Sequence, residues 1–219
     1  MFTLINIWLI YKKESTMPEA LKRLIQSISM LPWIWEKTAT RIAFFLLGAN
    51  KNFIEDFKLH LTNIKEKVWY CGTCHSICDA GREQCSICEK QTRDTQKICV
   101  VEEYLDMLTI EQSGWYNGVY HILWWAVSPI NGVFVWDLNF ETLFRRINDS
   151  ELDVEVILAT NPNIEGEATS SYIKEQIEKR ELSLKVRLTR LSRGLSSGYI
   201  EYADNITLIN AIKERKEVK

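Results

Sequence analysis

Ile98-Cys-Val-Val-Glu-Glu103 decides the fold: it is a short apolar run that ends in two carboxylates. Its residues predict a buried strand over Ile98–Val101, and the stretch that follows, Tyr104–Gln112, has helical spacing. The same alternation continues, with strands over Val119–Leu123, Val154–Ala159 and Leu184–Leu188 and with helices over Leu138–Ile147 and Glu167–Lys179. Strands that alternate with helices predict a parallel sheet covered by helices, the α/β class.

The chain before this region has helical periodicity. Apolar stripes at three- and four-residue spacing predict a helix, a short turn and a second helix over Met17–Leu47. Leu31-Pro32 ends the first helix and Gly48 ends the second. A third helix is predicted over Asn52–Lys67, and a short closing helix over Leu208–Glu214. The N-terminal part is therefore a separate helical region.

Two Cys-x-x-Cys pairs, Cys71-Gly-Thr-Cys74 and Cys85-Ser-Ile-Cys88, lie between these regions and are separated by ten residues. Four thiolates at this spacing can close a tetrahedral Zn²⁺ site with no open position, which is typical of one structural ion. Bound Zn²⁺ would help to fold a segment that is too short for its own core. The alternatives are two redox pairs or unpaired thiols.

The compartment also favours a metal over disulfides. Met1–Ile10 is apolar but precedes Lys12 and Lys13, whereas an export signal carries its charge before the apolar run. We therefore expect a reducing cytoplasm, where six cysteines point to metal binding. His75 and Cys78 are expected bystanders of the metal site, or its substitute ligands. We expect Cys99 to be a small core residue.

Charge is distributed unevenly, although the whole chain carries only −2. Residues 1–70 hold 10 Lys/Arg and 6 Asp/Glu, a net charge of +4. Residues 71–98 are neutral with 4 of each, and residues 99–219 carry −6 from 13 against 19. A polyanion would therefore meet the N-terminal third first, although an ordinary solvated surface explains so mild an asymmetry equally well.

The turn between the first two helices, Leu31–Arg41, has the length and flanks of a helix-hairpin-helix element. The glycines of that element let backbone N–H groups at a helix N-terminus approach a phosphate. Tryptophan occupies both glycine positions here, and a buried aromatic corner without a DNA role is the alternative. The candidate DNA-binding residues are Lys22, Arg23, Trp33, Trp35, Lys37 and Arg41.

Polar residues at two strand ends resemble those of a Toprim domain, in which a Glu and an Asp-x-Asp pair hold Mg²⁺. Glu102 or Glu103 matches the first element, but Asn161 and Asn163 replace the aspartate pair. Neutral amides bind a divalent cation poorly, so we expect binding rather than catalysis. The acidic or partner-binding residues proposed for this surface are Glu102, Glu103, Asn161, Glu165 and Glu167.

Helical hairpin, four-cysteine knuckle and Toprim follow one another in the order of the RecR family of bacterial recombination mediators, which this sequence resembles over about residues 17–215. The matching strings are Lys37-Thr-Ala-Thr-Arg-Ile-Ala-Phe44, Ile98-Cys-Val-Val-Glu102, Ser128-Pro-Ile-Asn-Gly132, Val156-Ile-Leu-Ala-Thr-Asn-Pro162, Glu165-Gly-Glu-Ala-Thr169 and Glu201-Tyr-Ala-Asp204. The predicted domains are a helix-hairpin-helix domain at 17–68, a zinc finger at 69–95, a Toprim domain at 96–194 and a C-terminal tail and helix at 195–219. Residues 1–16 are expected to be a non-native or disordered extension, with Met17 as the true start, and a native peptide that begins earlier would refute this.

The resemblance implies a non-enzymatic DNA-binding protein of recombinational repair, located in the cytoplasm with the nucleoid. Together with RecO-type and RecF-type partners, it would help to load recombinase at single-stranded gaps. It would act as a ring-like homotetrameric clamp, without a membrane association. Two alternatives remain: a Mg²⁺-dependent Toprim nuclease or primase, and a protein-binding scaffold.

Tryptophan marks the departures from the family. Trp33, Trp35, Trp69, Trp124 and Trp125 fall where the family has or often has glycine, and the chain holds 8 Trp but only 9 Gly, against about 15 expected from average usage. We hypothesise that several of them are codons that the native translation system reads as glycine, as in bacterial lineages that assign UGA to glycine. A Trp-containing native peptide over residues 24–37 would contradict this. If the tryptophans are native, we expect strain at the hairpin and weak DNA binding.

Overall fold

The computed structural model describes residues 17–192 and 199–218. The extension predicted for residues 1–16 lies outside this part, as do residues 193–194 of the predicted Toprim domain and residues 195–198 and 219 of the predicted tail. The chain divides between Lys65 and Glu66 into two compact units.

The first unit is helical, as predicted. Its helices are α1 (Glu19–Ser29), α2 (Glu36–Gly48) and α3 (Lys51–Lys67), the last of which runs two residues past the division. A small core holds α1 against α2 and consists of Ile25, Ile28, Ala39 and Ala43. The two alanines allow the helix backbones to approach closely, and partly buried hydrophobic residues that include Leu21, Ile34 and Leu46 pack against this core.

The second unit begins with a small antiparallel sheet that the sequence did not predict. It pairs β1 (Val68–Tyr70) with β2 (Ile77–Asp79), with Val68 opposite Asp79. Three-residue strands are too short for an alternating pattern to be read from the sequence. The sheet brackets the first pair of cysteines.

A five-stranded sheet follows in the order β4-β3-β5-β6-β7. Its parallel strands are β3 (Asp94–Val101), β4 (Gly118–Ile122), β5 (Val154–Ala159) and β6 (Val186–Arg190). The edge strand β7 (Lys216–Glu217) is antiparallel to β6 and was not predicted. The parallel sheet confirms the α/β class.

Helices cover both faces of this sheet. They are α4 (Tyr104–Gln112), α5 (Phe140–Asn148), α6 (Ile164–Lys179) and α7 (Asn205–Lys213). Alternate residues of β3 point to opposite cores: Ile98 and Val100 pack with α5 and α6, whereas Cys99 and Val101 pack with α4 and α7. Cys99 is thus a core residue, as predicted.

Several predicted boundaries were wrong: β3 begins at Asp94 rather than Ile98, α5 at Phe140 rather than Leu138, and α7 at Asn205 rather than Leu208. Two others were wrong for clear local reasons. Helix α6 begins at Ile164 rather than Glu167, because the side chain of Asn163 accepts a hydrogen bond from the Gly166 amide and starts the helix early. Strand β6 begins at Val186 rather than Leu184, because Leu182–Leu184 forms a 3₁₀ turn.

No helix within residues 17–192 and 199–218 combines the length and apolar character needed to cross a membrane.

Candidate functional site

The four predicted cysteines come together in the second unit. One ligand atom from each of Cys71, Cys74, Cys85 and Cys88 lies within 4.8 Å of all the others. Two turns present them: the His75 amide donates to the Cys71 carbonyl at 3.0 Å, and the Glu89 amide donates to the Cys85 carbonyl at 3.0 Å. Such a cluster can hold one metal ion, because four sulfur donors at this spacing fit tetrahedral coordination.

The protonation of the cluster also favours a cation. The pKa values of Cys74 and Cys88 are raised mainly by hydrogen bonds within the cluster, first to Cys71 and then to Cys85, and burial adds to the effect. Without a cation, neighbouring buried sulfurs cannot all be ionised, so some of them retain their protons. A bound metal would replace those protons and be released as the pH falls.

Backbone contacts attach this knuckle to the large sheet. The amide of Ile122, at the end of β4, donates to the Cys74 carbonyl at 2.9 Å. The indole Nε1 of Trp124 donates to the His75 carbonyl at 2.8 Å. Folding of the knuckle is therefore coupled to the segment that follows β4.

His75 and Cys78, the two expected bystanders, lie outside the cluster of four. His75 Nε2 is 2.6 Å from Thr142 Oγ1, and the Cys78 thiol donates to the Arg82 carbonyl at 3.6 Å. The His75 ring also meets the ring of His121 edge to face, with centroids 5.3 Å apart. Local sequence patterns do not predict this contact, because 45 residues separate the two histidines. Burial lowers the pKa of His121 to about 3, so its imidazole is neutral.

The second candidate site lies at the carboxyl edge of the parallel sheet, where Glu102 follows β3 and Asn161 follows β5. Both Glu102 oxygens accept hydrogen bonds from Asn161: Oε1 from its amide at 2.9 Å and Oε2 from Nδ2 at 2.6 Å. Asn161 Oδ1 in turn accepts from the Ile200 amide at 2.9 Å. The predicted pair thus meets, and it also anchors the segment before α7. Burial raises the pKa of Glu102.

Neighbouring acids surround this pair. Burial and then the charge of Glu201 raise the pKa of Glu103. Asp106, which sequence reasoning missed, accepts a hydrogen bond from the Glu103 amide at 3.0 Å and is 2% exposed. Burial raises its pKa to about 7, and the charges of Glu102, Glu103 and Glu201 add to the effect. The signal was available, because a Glu and an Asp three residues apart at a helix start form a capping box.

The remaining predicted acids lie in the first turn of α6. Glu167 forms an ion pair with Arg190 at the end of β6. Gly166 lies between Glu165 and Glu167, where an added Cβ would be 2.0 Å from the Asn161 carbonyl oxygen. Only glycine allows this close approach, which holds the start of α6 against the strand-end loop.

A comparison with known protein families bears on this edge. Residues 96–192 match the Toprim domain. The match runs from within β3 to just past β6 and includes Glu102, Asn161 and the start of α6. A Toprim domain indicates a role in DNA metabolism, and such domains occur both in enzymes and in non-catalytic proteins.

The third candidate site is the turn between α1 and α2 in the first unit. Lys37 and Arg41 are exposed one helical turn apart, and among the described residues neither has an acidic partner. Arg23 forms an exposed pair with Glu19 at 3.4 Å, and Lys22 is half-buried. Trp33 and Trp35 are exposed, so the alternative of a buried aromatic corner is wrong. Helix α2 begins after Trp35 without a side-chain cap, which leaves its N-terminus open.

Backbone conformation separates four of the tryptophans that stand where the resemblance predicts glycine. Trp33 has φ +64° and Trp124 has φ +76°, in the left-handed region that favours glycine. Trp35 has φ −79°, and Trp69 lies in strand β1. The expected strain therefore applies at 33 and 124 but not at 35.

We predict that Trp33→Gly stabilises the protein by about 1 kcal/mol, because relief of left-handed strain exceeds the added freedom of the unfolded chain. The Trp33 side chain is 95% exposed, so little packing is lost. Trp35→Gly is the matched control and gains nothing from strain relief. Trp124→Gly should not stabilise, because it loses the hydrogen bond to His75 and the edge-to-face contact with Tyr70. Urea unfolding of the three variants measures this, and equal shifts for Trp33→Gly and Trp35→Gly would contradict it.

Proposed function

We propose that this protein is a non-catalytic DNA-binding mediator of recombinational repair, of the kind that the RecR family represents. In this role it helps to load recombinase at single-stranded gaps. The proposal combines the helical hairpin, the four-cysteine cluster and the Toprim match at residues 96–192, which follow one another along the chain in the order of that family.

The contact between Glu102 and Asn161 supports this proposal best. A metal-dependent Toprim site needs several free carboxylate oxygens at the strand ends. Here Asn161 donates to both oxygens of Glu102, and its amide offers no charge of its own to a cation. These residues therefore have a structural role at the carboxyl edge of the sheet, and the proposed activity is DNA binding.

The helical hairpin is the proposed DNA contact and would serve as a helix-hairpin-helix element. Its exposed cations and the open N-terminus of α2 suit a phosphate, because backbone N–H groups and positive charge converge there. The +4 charge of residues 1–70 favours the same end of the chain.

Zn²⁺ is the proposed ion of the four-cysteine cluster. An all-thiolate donor set with four ligands favours Zn²⁺ over Mg²⁺ or Ca²⁺, which prefer oxygen. The ion would be structural, because four protein sulfurs leave no position for a substrate.

Self-association and partners complete the proposal. A homotetrameric clamp requires apolar contact between chains, and the apolar face of α3 supports such contact. None of the α3 residues is buried within its unit, although Phe57 and Leu61 line an apolar groove of 830 Å³. The acidic carboxyl edge is the proposed surface for RecO-type and RecF-type partners, and the nucleoid in the cytoplasm is the proposed location.

Replacing both hairpin cations, Lys37→Ala/Arg41→Ala, should weaken single-stranded DNA binding and reduce its salt dependence. Two lost phosphate contacts lower the slope of log K against log salt by about 1.4, at about 0.7 per contact. Fluorescence anisotropy over a salt series measures the slope, both in the sequence as written and with Trp33→Gly/Trp35→Gly, which uncovers the backbone. Lys174→Ala/Lys179→Ala on α6 is the matched control. An unchanged slope in both backgrounds would refute the hairpin as the contact.

The Toprim enzyme remains the competing function, since an acidic edge with several carboxylates could hold Mg²⁺. Incubation of the full chain with Mg²⁺ and gapped DNA separates the two. Nicking or synthesis that disappears in Glu102→Gln would establish an enzyme. Binding without any Mg²⁺-dependent product supports the mediator.

A further inference from the structure

One cysteine of the four-cysteine cluster differs from the others in its access to solvent. Cys71, Cys74 and Cys85 are 0%, 1% and 3% exposed, whereas Cys88 is only half-buried. Any reagent that reaches the cluster from solvent therefore meets Cys88 first.

A cavity leads to this cysteine. It has a volume of 410 Å³ and lies between the second cysteine pair and the amino end of the large sheet. Its polar lining residues besides Cys88 are Thr73, Gln84, Thr95, Arg146, Asp149 and Ser150. Gln84 donates to Thr73 at 3.0 Å along the knuckle side. Arg146 and Asp149 carry opposite charges, so the cavity admits a small neutral molecule without electrostatic bias.

We propose that Cys88 is a modification site at which hydrogen peroxide, entering through this cavity, oxidises the cluster and releases its metal. This goes beyond the proposed function, because it makes the structural ion a sensor of oxidant. The Cys88 thiolate attacks one peroxide oxygen, the O–O bond breaks and hydroxide leaves, giving a sulfenic acid.

A second cluster thiolate completes the reaction. The other three sulfurs lie within 4.8 Å, so one of them attacks the Cys88 sulfur, forms a disulfide and displaces a second hydroxide. Two thiolates lose two electrons in total and one peroxide gains them. Only two sulfur donors would then remain to hold an ion, too few to retain it.

Metal release has a structural consequence outside the cluster. The Cys74 and His75 carbonyls accept hydrogen bonds from the Ile122 amide and the Trp124 indole. Rearrangement of the knuckle breaks these hydrogen bonds, so oxidation of the cluster also changes the conformation of the segment that follows β4. Intrinsic tryptophan fluorescence, to which Trp124 contributes as one of eight tryptophans, should change.

The test uses the full chain loaded with Zn²⁺ and titrated with hydrogen peroxide. A chromogenic chelator follows metal release. Differential alkylation with mass spectrometry ranks the cysteines by the order in which they lose their free thiols. We expect Cys88 to be lost first and every early disulfide to contain it. Loss of Cys71, Cys74 or Cys85 before Cys88, or an early disulfide without Cys88, overturns the proposal. Cys78→Ser serves as a control, because Cys78 lines a separate cavity of 250 Å³. Release that disappears in this variant would place the reactive thiol at Cys78 instead.

A second pair of variants tests the route. Thr95→Trp fills the cavity and should slow zinc release several-fold while zinc content and thermal stability stay unchanged. Gln96→Trp, the next exposed residue of β3, is the matched control and should react at the original rate. If Thr95→Trp does not fold, Gln84→Trp blocks the opposite wall, with Glu83→Trp as its control. Equal rates in a folded blocking variant and its control overturn the cavity as the entry path.

Discussion

Cys74→Ser should abolish stoichiometric zinc binding and unfold the knuckle. Cys74 is a buried member of the cluster, and its carbonyl accepts the hydrogen bond that ties the knuckle to β4. Structural Zn²⁺ contributes about 10–16 kcal/mol of binding free energy in small zinc-finger peptides, and that energy stabilises only the folded segment. Elemental analysis should find one zinc per chain in the original protein and none in the variant. Thermal unfolding should begin at a lower temperature, and intrinsic tryptophan fluorescence should change.

Cys78→Ser is the matched control for this experiment. It makes the same chemical change in the same segment, but at a cysteine outside the cluster. It should retain one zinc and unfold like the original chain. Zinc loss in the control, or full zinc occupancy in Cys74→Ser, would show that the cluster is assigned to the wrong cysteines.

Asp106→Asn should remove a pH dependence of stability that arises at the acidic edge. The pKa of Asp106 in the folded protein is about 7, against an ordinary value of 3.8. Because the folded state holds the proton more tightly, stability is greatest below pH 3.8, falls as the pH rises, and levels off above 7. Between about pH 5 and pH 8 the original protein should lose about 2 kcal/mol through this group. The free energy of unfolding of the asparagine variant should fall less over this range, so the variant should be the more stable of the two proteins near pH 8.

The variant preserves the hydrogen bond that matters locally, since an amide oxygen can also accept from the Glu103 amide. Urea unfolding near pH 5 and pH 8 measures the difference between the two proteins, which separates Asp106 from other groups that titrate in this range. Asp153→Asn, an exposed position, controls for the loss of one negative charge. A pH profile that is identical in the original protein and Asp106→Asn would refute this account.

Several elements could be predicted because their signals are local. The Cys-x-x-Cys spacing predicted four cysteines that do meet, since each pair needs only one turn to bring its sulfurs together. The apolar run at Val154–Ala159 and the helical pattern at Tyr104–Gln112 have the predicted bounds. Strand β7 was missed because two residues form a strand only when β6 is already beside them, and Arg215 holds them there through Glu155.

The sequence by itself determined the α/β class, the order of helical, cysteine-rich and sheet regions, and the residues of the metal cluster. These follow from periodicity and spacing, which act over a few residues. The tertiary structure alone decided that Asn161 donates hydrogen bonds to both carboxylate oxygens of Glu102 and that Asp106 is buried among other acidic residues. It also decided that the backbone is strained at Trp33 but not at Trp35, and that Cys88 lines a cavity. Each of these depends on segments far apart in the chain or on the exact path of a turn. Burial, charge proximity and access are properties of the packed chain, and these properties set the chemistry of its side chains.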